Sequence, residues 1–241
     1  MLQAMLPFRF HRRNLIGAVL FICGTLSASA QYAVRPPARP VTPPVNFGNT
    51  MGLGINLHNS GFGINGFISK SINPNLAFTA EISLRSEKDE KEEKFFDWWG
   101  NSIIPGKLNY LMLIPAQVGI QKRLFADDID DNFRPYVQAS AGPTLAWLSP
   151  YFDDDNQDGE WQSSERLYDS IASIPHGKAY FAVAGGAAMG AQFGKSRRSL
   201  QAFRVGVDMT YVPKEVKLME TSTGQHLFLT PSISIIFGRF R

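Results

Sequence analysis

The chain has 241 residues, with Lys and Arg totalling 24, Asp and Glu totalling 21, and a single cysteine. The formal charge of +3 belongs entirely to residues 1–30, which hold Arg9, Arg12 and Arg13 and no acid; the remainder balances 21 basic against 21 acidic side chains, and so lacks the charge of a nucleic-acid binder. Cys23 lies in the same opening stretch, which excludes disulfides and thiol chemistry from everything downstream.

Residues 1–30 read as a secretory signal peptide: three arginines, then the apolar run Leu15 to Cys23, then the small residues Ala28-Ser29-Ala30 before Gln31. The apolar run is too short for a membrane helix, which needs ~20 residues. A lipoprotein reading of Cys23 fails on Ile22, because a lipidated cysteine follows a small residue. Residues 31–46 contain Pro36, Pro37, Pro40, Pro43 and Pro44, which favour an extended periplasmic leader over packed structure. Residues 47–241 are expected to form the folded domain.

That domain reads as strands from its first residues. About Thr50 to His58, Met51, Leu53, Ile55 and Leu57 alternate with Gly52, Gly54 and Asn56. Asn59-Ser60-Gly61 makes a tight turn into a second strand, with Phe62, Ile64 and Ile68 on one face and Asn65, Ser69 and Ser71 on the other. After Asn73-Pro74-Asn75 the third strand alternates without a break: Leu76, Phe78, Ala80, Ile82 and Leu84 against Thr79, Glu81, Ser83 and Arg85. Residues 86–107 form a long loop with a charge run from Glu87 to Lys94 and the aromatics Phe95, Phe96, Trp98 and Trp99.

The fourth strand starts near Leu108, with Tyr110, Met112, Ile114, Ala116, Val118 and Ile120 opposed to Asn109, Gln117, Gly119, Gln121 and Arg123. Its Pro115 implies a bulge or a position that needs no ladder bond. A short acidic turn, Asp127 to Asn132, leads to a fifth strand from about Arg134 to Leu148, and residues 149–177 form a second long, Asp-rich loop. The sixth strand, about Lys178 to Phe193, is built of Gly and Ala, which weakens its propensity. After a basic turn, Lys195 to Ser199, a seventh strand sets Phe203, Val205, Val207, Met209 and Tyr211 against Arg204, Gly206, Asp208 and Thr210. Residues 213–225 form a third long loop, and an eighth strand places Leu227, Leu229, Ile233, Ile235 and Phe237 opposite Thr230, Ser232, Ser234 and Gly238.

Connections after the second, fourth and sixth strands are short, and those after the third, fifth and seventh are long; the first hairpin departs from the pattern. An even number of amphipathic strands with this asymmetry predicts an all-β fold, an eight-stranded antiparallel up-and-down transmembrane β-barrel with its short turns in the periplasm. Tyr110, Trp147 and Tyr211 fall near strand ends, where an aromatic girdle is expected. Glu81, Arg85, Arg123, Arg204 and Asp208 share the inward phase, and buried charge survives by pairing, so an ion-pair network is expected to plug the lumen and exclude a general porin. A secreted soluble sandwich or lipocalin-like barrel is the alternative, with the apolar faces in a core.

The signal peptide, the eight amphipathic strands, the last strand ending near Phe237 and Phe240, and the stretches Phe133-Arg134-Pro135-Tyr136-Val137 and Ala141-Gly142-Pro143 resemble the small outer-membrane β-barrel superfamily, including surface barrels of Bacteroidetes-type bacteria. The resemblance implies a monomer in the outer membrane of a Gram-negative-type bacterium, in contact with outer-membrane lipid. It implies a structural or surface-interaction role, with the loops 86–107, 149–177 and 213–225 meeting an unidentified extracellular ligand.

Two local patterns carry chemistry of their own. Residues 154–165 resemble the calcium loop D-x-[DN]-x-[DN]-G-x5-E, which implies ligation by the side chains of Asp154, Asn156 and Asp158, the backbone carbonyl of Glu160 and a bidentate Glu165, with Gly159 at the sharp turn. No flanking helices accompany the loop, and a solvated acidic segment is the alternative. His58-Asn59-Ser60 is superficially similar to the His-x-Ser of the outer-membrane lipid A deacylase, but no carboxylate follows at matching spacing. His176 and His226 lack a recognisable partner, so no catalytic residue is assigned; a lipid-modifying enzyme is the second reading. Phe95, Phe96, Trp98 and Trp99 suit either the barrel mouth and outer lipid interface or an exposed recognition patch.

Overall fold

The structure is a computed structural model describing residues 48–96, 98, 102–126, 129, 133–153, 162, 165–193 and 199–240. The expected signal peptide and leader, Trp99, most of the 127–132 turn and the 195–198 turn lie outside the described residues. The long strands are β1 (Thr50–His58), β2 (Gly61–Asn73), β3 (Leu76–Glu87), β6 (Asn109–Arg123), β7 (Phe133–Pro150), β8 (Lys178–Phe193), β9 (Leu200–Val216) and β10 (Gln225–Phe240). A two-residue pair, β4 (Phe95–Phe96) with β5 (Ser102–Ile103), makes a small hairpin inside the first long loop.

The long strands close into one antiparallel ring in the order β1-β10-β9-β8-β7-β6-β3-β2. The closing seam runs from Thr50↔Phe240 to His58↔Ser232 without a break. Closure follows from the alternation: with one face of every strand apolar, an open sheet would leave two edges of unpaired backbone in lipid, at several kcal/mol per group. The outer wall carries the apolar phase, with Leu53 71%, Phe62 76% and Phe181 67% exposed, while Asn56, Asn65, Gln117, Gln138, Thr210 and Ser234 are buried inside. An apolar exterior on a sealed ring with a polar interior inverts a soluble barrel and matches a bilayer. The chain is an eight-stranded antiparallel transmembrane β-barrel.

The registers correct several details of the sequence reading. Of the two expectations for Pro115 the bulge does not occur, since Ile82↔Ala116 and Arg85↔Leu113 lie on one register, as do Pro115↔Thr144 and Val118↔Ala141; the other fits, because the pairing with β3 skips this position. The irregularities lie instead between Ser71 and Asn73, and between Gln225 and Leu227. Strand β9 runs through Pro213 to Val216, opposite that second irregularity, so the third loop is 217–224 rather than 213–225. Ser86 and Glu87 belong to β3, and Ser149 and Pro150 to β7, which trims the other two loops to 88–108 and 151–177.

The Gly- and Ala-rich β8 pairs throughout with β7, from Phe133↔Phe193 to Leu148↔Lys178. Its small inward residues make room for large ones beside them on the neighbouring strands: a Cβ on Gly186 would collide with the carboxylate of its β9 partner Asp208, and one on Gly190 with the ring of its β7 partner Tyr136. Near the long-loop end the interior is apolar on the β6–β9 side, where Leu111, Leu113, Ala146, Ala182, Val212, Val216, Leu218 and Phe228 pack together. Leu111 and Leu113 share the phase of Gln117, so β6 is apolar on both faces there.

Placing a charge on the outer wall tests the lipid contact. Leu53→Arg, near the middle of β1, is expected to cost about 2–4 kcal/mol in the unfolding free energy measured in lipid vesicles. Unchanged stability would mean that this wall does not face acyl chains.

Candidate functional site in the barrel interior and loop cap

Two charged groups bridge the bore. The Arg204 guanidinium of β9 donates to both carboxylate oxygens of Glu81 on β3, at 2.6 and 2.7 Å, and Asn65 Nδ2 of β2 donates to Glu81 Oε1 at 2.7 Å. Above them Arg85 donates to Asp208 Oδ2 and to Thr210 Oγ1, each at 2.9 Å, and its Nε lies 3.4 Å from Glu87 Oε1. Glu87 accepts from Thr230 Oγ1 at 2.6 Å and from Ser60 Oγ at 3.1 Å. Strands β3 and β9 are not neighbours in the ring, so the Glu81–Arg204 and Arg85–Asp208 bonds cross the lumen. A bidentate pair of this kind is strong and directional, because two parallel N–H bonds fix both planes.

Four of the five charges expected inside therefore belong to one constellation. Arg123 does not; it is buried near the short-turn end, where Arg134 and Tyr136 are also buried. Glu87, the first residue of the charge run expected in the first long loop, is 6% exposed and completes the upper group. The signal lay in its parity with Glu81, Ser83 and Arg85, hidden by the charge run that follows. The space left among these side chains for water-sized molecules, lined by Asn56, His58, Gln117, Gln138 and Asp208, is about 30 Å³, enough for a few waters and not for a continuous channel.

The long loops interlock above the barrel. Leu108 N donates to Leu218 O at 2.9 Å, Tyr151 N to Leu108 O at 2.9 Å, and Glu220 N to Gly106 O at 2.7 Å. Gly106, at φ 69°, supplies the left-handed turn that this contact requires. Ile104, Tyr151, Phe152 and Met219 form a second small core, against which Leu108, Tyr110 and Leu167 pack. Lys107 is held under this cap by Glu92 at 2.6 Å and by the Tyr110 ring at 4.2 Å; burial holds its ammonium below the usual lysine range.

Two residues expected in an aromatic girdle instead strap the second loop to the wall. Tyr110 donates its hydroxyl to Tyr168 O at 3.2 Å, and Trp147 Nε1 donates to Ile174 O at 3.1 Å. Tyr211 is half exposed on the outer wall, as expected. Asp169 tightens the strapped segment by accepting from the backbone N–H groups of Ile171 and Ala172, both at 2.8 Å, which hold its carboxyl below the usual range.

Of the five candidate calcium ligands, Asp154, Asn156, Asp158 and Glu160 lie outside the described residues. Glu165 is described and buried, with Oε2 accepting from Gln162 N at 2.9 Å. The residues flanking the segment are paired: Asp153 N donates to Arg166 O at 2.9 Å, and Phe152 bridges Leu167. Among the described residues no group of three or more His, Cys, Asp or Glu could hold a metal ion.

The histidines are dispersed. Ser60 directs its hydroxyl at Glu87 rather than at His58. His226 Nδ1 lies 3.1 Å from Val212 O, and His176 stacks on Tyr168 with centroids 4.8 Å apart. Phe95, Phe96 and Trp98 are exposed, Trp98 at 95%, so these rings do not pack over the barrel mouth.

No family model matches the chain, and no curated protein matches it by sequence. Solved structures do resemble it. Neisserial surface protein A is 11% identical, with 80% of this chain and 96% of that one aligned at a TM-score of 0.46. A major outer membrane protein of Thermus thermophilus is 9% identical over 78% of this chain and 98% of that one, at 0.45. The attachment invasion locus protein Ail of Yersinia pestis is 12% identical over 79% and 94%, at 0.36.

Breaking the bidentate pair tests its coupling. Arg204→Ala leaves Glu81 desolvated without its cation and is expected to cost roughly 3–5 kcal/mol in equilibrium unfolding. Adding Glu81→Ala should cost much less than a second independent loss, because the two side chains act as one unit.

Proposed function

We propose that this protein is a non-enzymatic surface barrel whose bore is closed by its own side chains and whose work is done by the loop cap. The observation that carries the reading is the pair of ion-paired groups spanning from β3 to β9 and β10 with only about 30 Å³ between them. A general porin needs a water-filled path, and eight strands leave an interior about filled by side chains. The reading includes short turns in the periplasm, the loop cap outside, and a single copy per functional unit. A place among the surface barrels of Bacteroidetes-type bacteria is part of the same proposal, carried by the Phe133–Val137 and Ala141–Pro143 patterns.

The described parts of the loops suit interaction because they are tied to one another and to the barrel wall before any partner arrives. Hydrogen bonds between the first and third loops, and the Tyr110 and Trp147 straps on the second, lower the ordering entropy that binding would otherwise cost. The exposed Phe95, Phe96 and Trp98 at the tip of the first loop are assigned as its recognition patch. The unidentified extracellular ligand is placed on this cap. A lipid-modifying activity is disfavoured by the use of Ser60 on Glu87, by the contact of His226 with Val212 O and by the stacking of His176 on Tyr168. In planar bilayers the purified barrel is expected to show no steady porin-like conductance, whereas Arg85→Ala combined with Arg204→Ala should open a small one. In intact cells a thiol label that cannot cross the membrane is expected to reach Ser170→Cys, an exposed loop position; failure to reach it in folded protein would reverse the orientation.

Calcium in the second loop is the finer part of the proposal. Asp154, Asn156, Asp158, the carbonyl of Glu160 and Glu165 would hold it, and the paired base at Asp153 and Arg166 supports the fit by tying the two ends of the twelve-residue segment together. The ion would neutralise clustered carboxylates and order the loop at the entropy cost this closure already lowers. Calcium is expected to protect the wild-type loop from protease, and Asp158→Ala to abolish that protection; equal digestion with and without the ion in both proteins would reduce the segment to a solvated acidic loop.

A further inference from the structure

We propose that the outer wall over β10, β1, β2, β3 and β6 carries a site for an anionic glycerophospholipid of the periplasmic leaflet. The wall here is not a smooth cylinder. It is indented by an open, largely apolar groove of about 980 Å³, walled by Leu53 and Phe237 on one side and Ile82 and Val118 on the other, with Gly66 in its floor. The registers Leu53↔Phe237, Leu53↔Gly66, Gly66↔Ile82 and Ala80↔Val118 place these residues in adjacent rows across the strands, on the outward phase.

The indentation is not forced by backbone packing. The inward glycines Gly52, Gly119 and Gly142 cannot take a side chain, because a Cβ there would strike a neighbouring strand, whereas the outward-phase strand glycines among the described residues, Gly66 and Gly185, both have room for one. A Cβ on Gly66 would meet only Leu53 Cδ2, at an ordinary 3.5 Å. The fold would accept a larger residue there, and the groove exists because the position is bare. A trough of this width takes an acyl chain, which leaves a bilayer as apolar as the trough and so gains little by entering it, and specificity has to come from the headgroup.

The charges supply that specificity. Arg239 lines the short-turn end of the groove and is exposed. Lys70 projects from the same outer face, two residues beyond Ile68, which shares the row of Met51 and Arg239. With strands about 4.8 Å apart and residues about 3.4 Å apart along them, the two Cα atoms lie on the order of 12 Å apart, within reach of one phosphate for two long side chains. Among the described residues the outward phase of the barrel's short-turn half bears Lys70, Lys122 and Arg239 and no carboxylate. An anionic headgroup therefore meets only cations there, and a zwitterionic one forfeits part of the gain.

The leaflet assignment rests on the orientation proposed above, and the site itself does not. The test is native mass spectrometry of the mature barrel in mild detergent, titrated with phosphatidylglycerol and, separately, with phosphatidylcholine and with purified lipid A. One phosphatidylglycerol is expected to remain bound, with phosphatidylcholine weaker. Lys70→Gln and Arg239→Gln should each weaken binding about fivefold. Gly66→Phe should abolish it while the barrel keeps the heat-dependent electrophoretic shift of a folded ring. Equal binding by all variants, or no preference for the anionic phospholipid over lipid A, overturns the site. If Ser170→Cys labels from outside and phosphatidylglycerol does not bind, the lipid site fails and the orientation stands; if binding holds and the label enters only from the periplasm, the orientation fails and the site stands.

Discussion

A bilayer offers no partner to an unpaired backbone N–H or C=O, and the architecture of the barrel follows from that constraint. The only sheet that meets it is one without edges, so β1 pairs with β10 and the ring closes. Closure at eight strands then sets the bore, and the bore decides what the inward side chains can be. A large inward residue requires a small one beside it on the neighbouring strand. Gly186 beside Asp208 and Gly190 beside Tyr136 are the consequence, and they explain how a strand of Gly and Ala holds its place between two better strand formers.

Charges inside such a bore are tolerable only as partners. Glu81 with Arg204 closes as a bidentate pair, whereas Arg85 serves two carboxylates and leans on hydroxyls to complete the set. Threonine and serine at Thr210, Thr230 and Ser60 complete the upper group, which is why these small polar residues are buried. Desolvation makes the arrangement costly to break rather than generous in net stability. Its value lies in uniqueness: bonds from β3 to β9 and β10 hold opposite walls at a set distance.

The loops obey a different rule, since they are not in lipid and could have been left to solvent. They are instead built as a lid, with its own small core around Ile104, Tyr151, Phe152 and Met219 and with aromatic side chains of the barrel wall used as straps. Tyr110 and Trp147 sit at the height where a girdle residue would face lipid headgroups, but the second loop folds down over them and takes their polar ends. Order in the cap and order in the barrel are thus continuous.

The period-two alternation determined the strands and sorted their side chains into an apolar and a polar face, while the closed ring with the apolar face outside decided for a bilayer over a soluble core. The strand from Thr50 to His58 and the one from Lys178 to Phe193 coincide with the observed limits, because parity is a local property of the chain. Parity also placed Glu81, Arg85, Arg204 and Asp208 inside together. Which of these meet was decided by tertiary structure, since a partner across the bore is set by ring order and strand stagger, neither of which a single strand encodes. The same reason explains what was not legible: Glu87 and the apolar layer at Leu111 and Leu113 depend on what lies opposite, the 213–216 extension depends on a partner strand that tolerates Pro213, and the loop cap is made of contacts between segments far apart in sequence.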